Sequence, residues 1–183
     1  MPYHLFQENA LDPATCDHLV TLAGAANSTD AGLVGNTTSH ALRRADLVWL
    51  DDLPDTGQVM DRLIRLVAQA NRDACNVDIT DFAESAQIAR YGAEREGHFG
   101  WHSDIGKGTH AARRKLTIVI QLSDPAEYDG GTLDLWPDAN IAAAPRRRGT
   151  AAIFPSFVLH RVTPVTRGTR WSLTLWAHGP AWR

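Results

Sequence analysis

The chain has 183 residues, 44% hydrophobic and 21% charged, with a formal net charge of −3 and an isoelectric point near 6.2. That composition is that of an ordinary globular protein and excludes a disordered, fibrous or strongly basic nucleic-acid-binding chain; no apolar run approaches the roughly 18 residues of a membrane-spanning helix. The opening residues Met1-Pro2-Tyr3-His4 lack the basic start and apolar stretch of a secretory signal, so a cytoplasmic location is expected.

In chain order, Asp12-Pro13 reads as a helix start, a capping side chain followed by a residue whose φ suits the first turn. Leu19, Val20, Leu22 and Ala23 give that helix one apolar face, and Gly24 is its expected stop. Residues 27–41 form a polar loop, and residues 46–50 (Asp-Leu-Val-Trp-Leu) a strand. Residues 57–75 carry Val59, Leu63, Leu66, Val67, Ala70 and Ala74 at helical spacing and predict a second amphipathic helix. Cys16 and Cys75 fall in these helices, far apart and without zinc-finger spacing, and are expected to be free and buried.

From about residue 80 short strand-like runs alternate with Gly, Pro and Asp turns: 85–91, 99–104, 115–122, 131–136, 150–154, 157–165 and 169–177. The chain is therefore expected to be one domain over 1–183, mostly β with N-terminal helices (α+β). Residues 1–80 would support a jelly-roll core, a double-stranded β-helix, over 81–183. No linker or repeat divides it.

Within Gly100-Trp101-His102-Ser103-Asp104, residues two apart on a strand share a face, so His102 and Asp104 converge. A second histidine, His160, closes the apolar run from Ile153. Two His and one carboxylate form the facial triad of non-haem iron(II), which leaves positions open for substrate and oxygen. A lone His-x-Asp is a weak signal; Arg170 sharpens it. Thr166-Arg167-Gly168-Thr169 reads as a tight turn joining 158–165 and 170–176 in a hairpin. Arg170, Ser172, Thr174 and Trp176 then share one face. If it looks inward, a guanidinium is buried with no acidic residue near it in sequence. A dicarboxylate cosubstrate would supply the anion, in a two-pronged pair that arginine forms best.

With these pieces in place, the sequence resembles the prolyl 4-hydroxylase-like branch of the 2-oxoglutarate oxygenases, close to the PKHD-type hydroxylases. The resemblance covers residues 43–180. It rests on Gln87-Ile88-Ala89-Arg90-Tyr91, Trp101-His102-Ser103-Asp104, the run from Arg114 to Ser123, Tyr128-Asp129-Gly130-Gly131-Thr132-Leu133, and Phe154-Pro155-Ser156 followed by His160 to Thr166 and Arg170, in the family's order. It implies that His102, Asp104 and His160 hold Fe(II), and that Arg170 takes the distal carboxylate of 2-oxoglutarate. Ser172, Tyr91 and Gln121 would be further cosubstrate contacts, and Trp176 would line the iron pocket. Arg170 stands where collagen-type relatives have lysine, and the spacing from Tyr91 to His102 is slightly long. The implied reaction consumes O2 and 2-oxoglutarate, releases succinate and carbon dioxide and hydroxylates a C–H bond, with ascorbate as a candidate reductant. Related halogenases lack the carboxylate, so Asp104 favours hydroxylation.

The expected substrate is a prolyl or similar residue of a peptide or protein; the alternative is a free amino acid or small natural product. A cupin-like metal protein without oxygenase activity would show His-x-His early and no arginine beyond the distal histidine. No nucleic-acid or membrane partner is expected, and the sequence leaves the oligomeric state open. Thr174 and His110 join Trp176 as candidate substrate-pocket residues. Residues 105–113, with Gly106 and Gly108, are expected to form a basic lid carrying Lys107, His110, Arg113 and Arg114. His98 is a poor ligand candidate, Arg146-Arg147-Arg148 reads as a solvated turn, Arg43 and Arg44 as surface charge or substrate contacts, and Trp101 and Trp136 as core or rim packing.

Overall fold

The computed structural model describes residues 4–30 and 40–182. In chain order the elements are β1 (Leu5–Gln7), α1 (Pro13–Ala25), β2 (Thr29–Asp30), β3 (Arg43–Arg44), β4 (Asp46–Trp49) and α2 (Gly57–Ala70). They continue with β5 (Gln87–Gly92), β6 (His98–His102), β7 (Arg114–Gln121), β8 (Tyr128–Gly130), β9 (Leu133–Trp136) and β10 (Ala142–Ala143). Three strands close the chain: β11 (Ala151–Pro155), β12 (Leu159–Val162) and β13 (Val165–His178).

Asp12 caps α1 as expected, its carboxylate accepting the Thr15 N–H at 2.9 Å and the Thr15 hydroxyl at 2.7 Å. The helix runs one residue past Gly24, and extended backbone at Ala26 ends it. Helix α2 leads into a π-helical turn over Asn71–Cys75 and stops where Asn76 turns left-handed. Of the expected 27–41 loop, Thr29–Asp30 form β2; residues 31–39 lie outside the described residues. Cys16 and Cys75 are free and buried.

The strands form two antiparallel sheets. The larger runs β1-β11-β7-β13-β5-β4-β2, with β8 also on β13; the smaller runs β10-β9-β12-β6-β3. Ile88, Ile118, Ile120, Leu173 and Leu175 of the large sheet pack with Leu19, Leu63, Leu66 and Val67 of the helices in one core. Its opposite face, with Ala89, Tyr91, Val119 and Phe154, packs on Leu133, Leu135 and Val162 of the small sheet in a second core. Covered on both faces, β7 is buried along its whole length. Each such fully buried aliphatic side chain contributes roughly 1.5–3 kcal/mol. Because Trp171, Leu173, Leu175 and Ala177 face the helices, Arg170, Ser172, Thr174 and Trp176 project between the sheets.

The expected 158–165/170–176 hairpin does not form. β12 lies between β6 and β9 of the small sheet, while β13 runs 14 residues through 166–169 and pairs with β5, β7 and β8. Thr163-Pro164 carries the chain from one sheet to the other, Thr163 N–H donating to Thr132 O at 3.0 Å and Val165 N–H to Gly97 O at 2.9 Å. Gly168 has a left-handed φ of +69°, and a Cβ there would strike the Glu127 carbonyl. The glycine that reads as a turn lies instead beside a β-bulge, where the β13–β8 register shifts between Val165 and Arg167.

Candidate active site

His102 is the last residue of β6 and sits opposite His160 of β12 across the small sheet. Asp104 lies two residues beyond the strand end, so convergence does not come from parity along one strand. Its N–H donates to Ser156 O at 2.9 Å, its carbonyl accepts Arg114 Nη1 at 3.1 Å, and its Oδ2 accepts the Thr117 hydroxyl at 2.7 Å. The Thr117 proton is thereby committed, so Ser156 Oγ, 3.0 Å away, donates to Thr117. Sequence reading missed both residues, although Thr117 shares strand parity with Gln121 and therefore had to face inward.

His102 Nε2 stands 3.7 Å from Asp104 Oδ1, and His160 Nε2 stands 3.6 Å from Asp104 Oδ2. One ligand atom from each of the three lies within 4.8 Å of the others. His102 Nδ1 is 2.8 Å from Gly100 O and His160 Nδ1 is 2.9 Å from Val158 O. A carbonyl can only accept, so each Nδ1 carries the hydrogen and each Nε2 lone pair points to the shared space. Burial and the neighbouring His160 hold the His102 pKa down to about 3, so the ring is neutral at ordinary pH. Burial opposes ionisation of Asp104, yet its carboxyl stays below the usual range, with the permanent charge of the Arg114 guanidinium among the groups that favour the anion. Two imidazoles and one carboxylate, with their outer atoms already bonded, make a donor set that fits iron(II).

Arg170 is fully buried. Its Nη1 donates to Ser172 Oγ at 3.3 Å, while Nε and Nη2 are buried without a partner, and its guanidinium lies 5.3 Å over the Tyr91 ring. Burial pushes its pKa down, but an arginine stays cationic. Gly131, at φ +59°, leaves it room: a Cβ there would lie 2.9 Å from Arg170 Cδ. Tyr91 is opposite Arg170 on β5, and Gln121 is opposite Ser172 on β7 with its Oε1 buried and unpartnered. Further along β13, Thr174 is opposite Val119, and Trp176 is opposite Thr117 with an unpartnered indole N–H. The structure thus brings together Arg170, Ser172, Tyr91 and Gln121 between the sheets, on the same face as Thr117, which holds Asp104. Unpaired guanidinium hydrogens buried beside two hydroxyl-bearing side chains fit the distal carboxylate of 2-oxoglutarate.

The expected basic lid is corrected. Arg114 is buried and forks onto Glu84, Nε to Oε2 at 2.6 Å and Nη2 to Oε1 at 2.5 Å. Glu84 also meets His178 Nε2 at 2.8 Å, and the guanidinium lies 3.9 Å over the Trp176 ring. Arg113 pairs with Asp81 at 2.6 Å. Both charges are spent within the fold, and Ala111 is buried. The exposed part is Gly106–His110, with Lys107 as its fixed cation. His110 reaches the rim, edge-on to His178 at 6.2 Å, not the triad.

His98 bonds Glu96 O and Ala41 O through its two nitrogens and stays apart from the triad. The 146–148 run is not a free patch: Arg146 donates to Tyr128 O, Arg147 to Glu8 and Arg148 to Asp17. Trp101 and Trp136 pair at 5.6 Å with Arg161 over Trp101. Arg44 bonds His40 O and Arg95 O at the surface, whereas Arg43 is buried.

A model of the 2OG-Fe(II) oxygenase superfamily matches residues 86–178. A PKHD-type hydroxylase of Azoarcus sp. is 33% identical over 131 residues, covering 66% of this chain and 56% of that protein. One of Hyphomonas neptunium is 38% identical over 81 residues, covering 43% and 36%. The chain therefore spans roughly a third to a half of the length of the curated relatives it matches. Among solved structures, a Pseudomonas putida prolyl-4-hydroxylase superposes with TM-score 0.77 at 21% identity, covering 98% of this chain and 94% of that one. A Trichoplax adhaerens prolyl hydroxylase, bound to a hypoxia inducible factor peptide fragment, gives 0.79 at 18% identity, covering 96% and 83%. Both share the fold.

Proposed function

The chain belongs to the 2OG-Fe(II) oxygenase superfamily, and we propose that it works as a dioxygenase of that kind, hydroxylating a C–H bond of a prolyl or similar residue in a peptide or protein. The observation that carries the reading is the buried, carboxylate-free Arg170 lying between the same sheets as a His-Asp-His cluster. His102, Asp104 and His160 would hold Fe(II), and Arg170 with Ser172, Tyr91 and Gln121 would hold 2-oxoglutarate. When bound, this pair and O2 supply the oxidising chemistry, with release of succinate and carbon dioxide. The chain's own part is positional. The Gly100 and Val158 carbonyls orient the two imidazoles, Thr117 steadies Asp104, and Tyr91 and Gln121 keep water from the Arg170 end. Trp176, Thr174 and His110 would line the approach of the substrate, whose peptide nature finds support in the peptide complex of the Trichoplax enzyme.

Alanine in place of His102, Asp104 or His160 should abolish or sharply reduce bound iron, measured as iron per chain in the presence of 2-oxoglutarate. Full occupancy in all three variants would sink the assignment. We place the activity in the cytoplasm, where two unpaired buried cysteines are at home; recovery of the protein in a secreted fraction of its cells would contradict that. No described helix is long and apolar enough to cross a membrane.

Lid closure narrows to Gly106–His110, because Ala111 and Arg113 are anchored. An ordered segment gives up about 1–2 kcal/mol of backbone entropy per residue, which substrate contacts must offset. Limited proteolysis should cut between 106 and 110 and be suppressed by substrate with 2-oxoglutarate under anaerobic conditions. Cleavage concentrated elsewhere, or equal with and without substrate, would remove the lid from the reading.

A further inference from the structure

Three arginines are buried among the described residues: Arg43, Arg114 and Arg170. Arg114 has Glu84 in a two-nitrogen fork. Arg170 has the place argued above for the distal carboxylate of 2-oxoglutarate. That leaves Arg43, only 8% exposed. Its Nη2 donates to Gln87 Oε1 at 3.3 Å, its Nε is buried without a partner, and its guanidinium lies 4.5 Å over the Phe99 ring. Phe99 in turn stacks on His102, centroids 3.4 Å apart and planes 11° from parallel. The cation therefore shares the Phe99 ring with a candidate iron ligand. Gln87 shares the strand parity of Tyr91 and so faces between the sheets, beside Thr174 of β13.

A neutral amide and an aromatic face compensate a buried guanidinium only in part. None of the described carboxylates lies within ion-pair distance of Arg43, and residues 31–39, outside the described residues, contain no acidic side chain. A buried arginine without an anion, beside a reactive centre, is a binding group awaiting one. We propose that Arg43, steadied by Gln87, takes a carboxylate of the substrate, so that the molecule hydroxylated carries a free carboxylate near the carbon presented to the triad. This rests on the oxygenase reading above and deepens its substrate class: the carboxylate belongs to the last residue of a peptide chain, or to a free amino acid in place of the peptide.

The probes are the twenty L-amino acids, their N-acetyl derivatives and their amides. Their binding is measured by calorimetry and thermal shift on protein loaded with zinc(II) and 2-oxoglutarate, which does not turn over. Compounds that bind should carry a free carboxylate, with the matching amide weaker by roughly 30-fold or more. Retention by N-acetyl forms identifies a chain-terminal residue, and their loss identifies a free amino acid. Arg43→Gln should bring the carboxylate down to the affinity of its amide. Gln87→Glu is the second variant, for the case that Arg43→Gln does not fold. It sets a carboxylate of the same shape against Arg43, and should raise the melting temperature while excluding the ligand. Amides binding as well as acids, no carboxylate in the panel binding, or an unchanged preference in both variants would each overturn the proposal. The function proposed above fails separately, if iron(II) and 2-oxoglutarate give no charge-transfer absorbance with the unmodified protein.

Discussion

Arg170→Ala should keep iron and lose 2-oxoglutarate, with affinity falling by roughly 30-fold to several-thousand-fold. The range follows from about 2–5 kcal/mol for removing one partner of a desolvated, charge-assisted pair. No neighbour can take over: Ser172 and Tyr91 offer hydroxyls without charge, and Arg146 is committed to the Tyr128 carbonyl at 2.7 Å. Arg170→Lys should be milder, since a charge remains while the fork is lost. The same burial makes a second, less intuitive expectation. Without cosubstrate the guanidinium is desolvated and two of its nitrogens are unpartnered, so the ligand-free protein should be no less stable with Arg170→Met than with arginine. Titration of the iron(II)–2-oxoglutarate absorbance band and thermal melts of the ligand-free forms decide both. An unchanged titration in the alanine variant would mean another residue holds the cosubstrate; a large loss of ligand-free stability would mean that Arg170 is structural.

How much of this was legible in the sequence depended on how local the determining physics is. Asp12-Pro13 and the apolar spacing of Leu63, Leu66 and Val67 are decided within a few residues, and both helices follow. The inward face of Arg170, Ser172, Thr174 and Trp176 needed only alternation along one strand, and it holds. The hairpin failed because pairing is a non-local choice. Gly168 is compatible with a turn or with a strand beside a bulge, and only the position of Glu127 and Tyr128, some forty residues back, selects the bulge. Asp104 was placed correctly for an insufficient reason, since Thr117 and Ser156 fix it where β6 has already ended. Arg43 and Arg113 looked equally superficial in sequence. Whether a charge is paired is set across the fold: Arg113 found Asp81, and Arg43 found a phenyl ring and an amide.

Glu84 bridges Arg114 and His178, residues 30 and 94 positions away in the chain. Glu84→Ala would leave a guanidinium that is 7% exposed without an anion, and breaking a buried pair from one side costs about 3–5 kcal/mol. For a chain of this size that lowers the melting temperature by roughly 6–20 °C. Iron affinity should fall as well, because Arg114 holds the Asp104 carbonyl at 3.1 Å and rests on Trp176. The pH dependence has a definite sign. Burial alone would raise the Glu84 carboxyl, but His178 and Arg114 overcome it and hold the pKa at about 2, against an ordinary 4.5. A carboxyl lowered on folding stabilises above its unfolded value, and that stabilisation, on the order of 3 kcal/mol, drains away as pH falls from about 4.5 towards 2. The gap between the unmodified protein and Glu84→Gln should therefore be widest near neutrality and close across that window, as followed by denaturant melts at stepped pH. A gap below about 1 kcal/mol at pH 7, or one that does not narrow in acid, would show that the Glu84–Arg114–His178 contact is energetically idle, and the support it gives Asp104 would have to come from Thr117 and Ser156 alone.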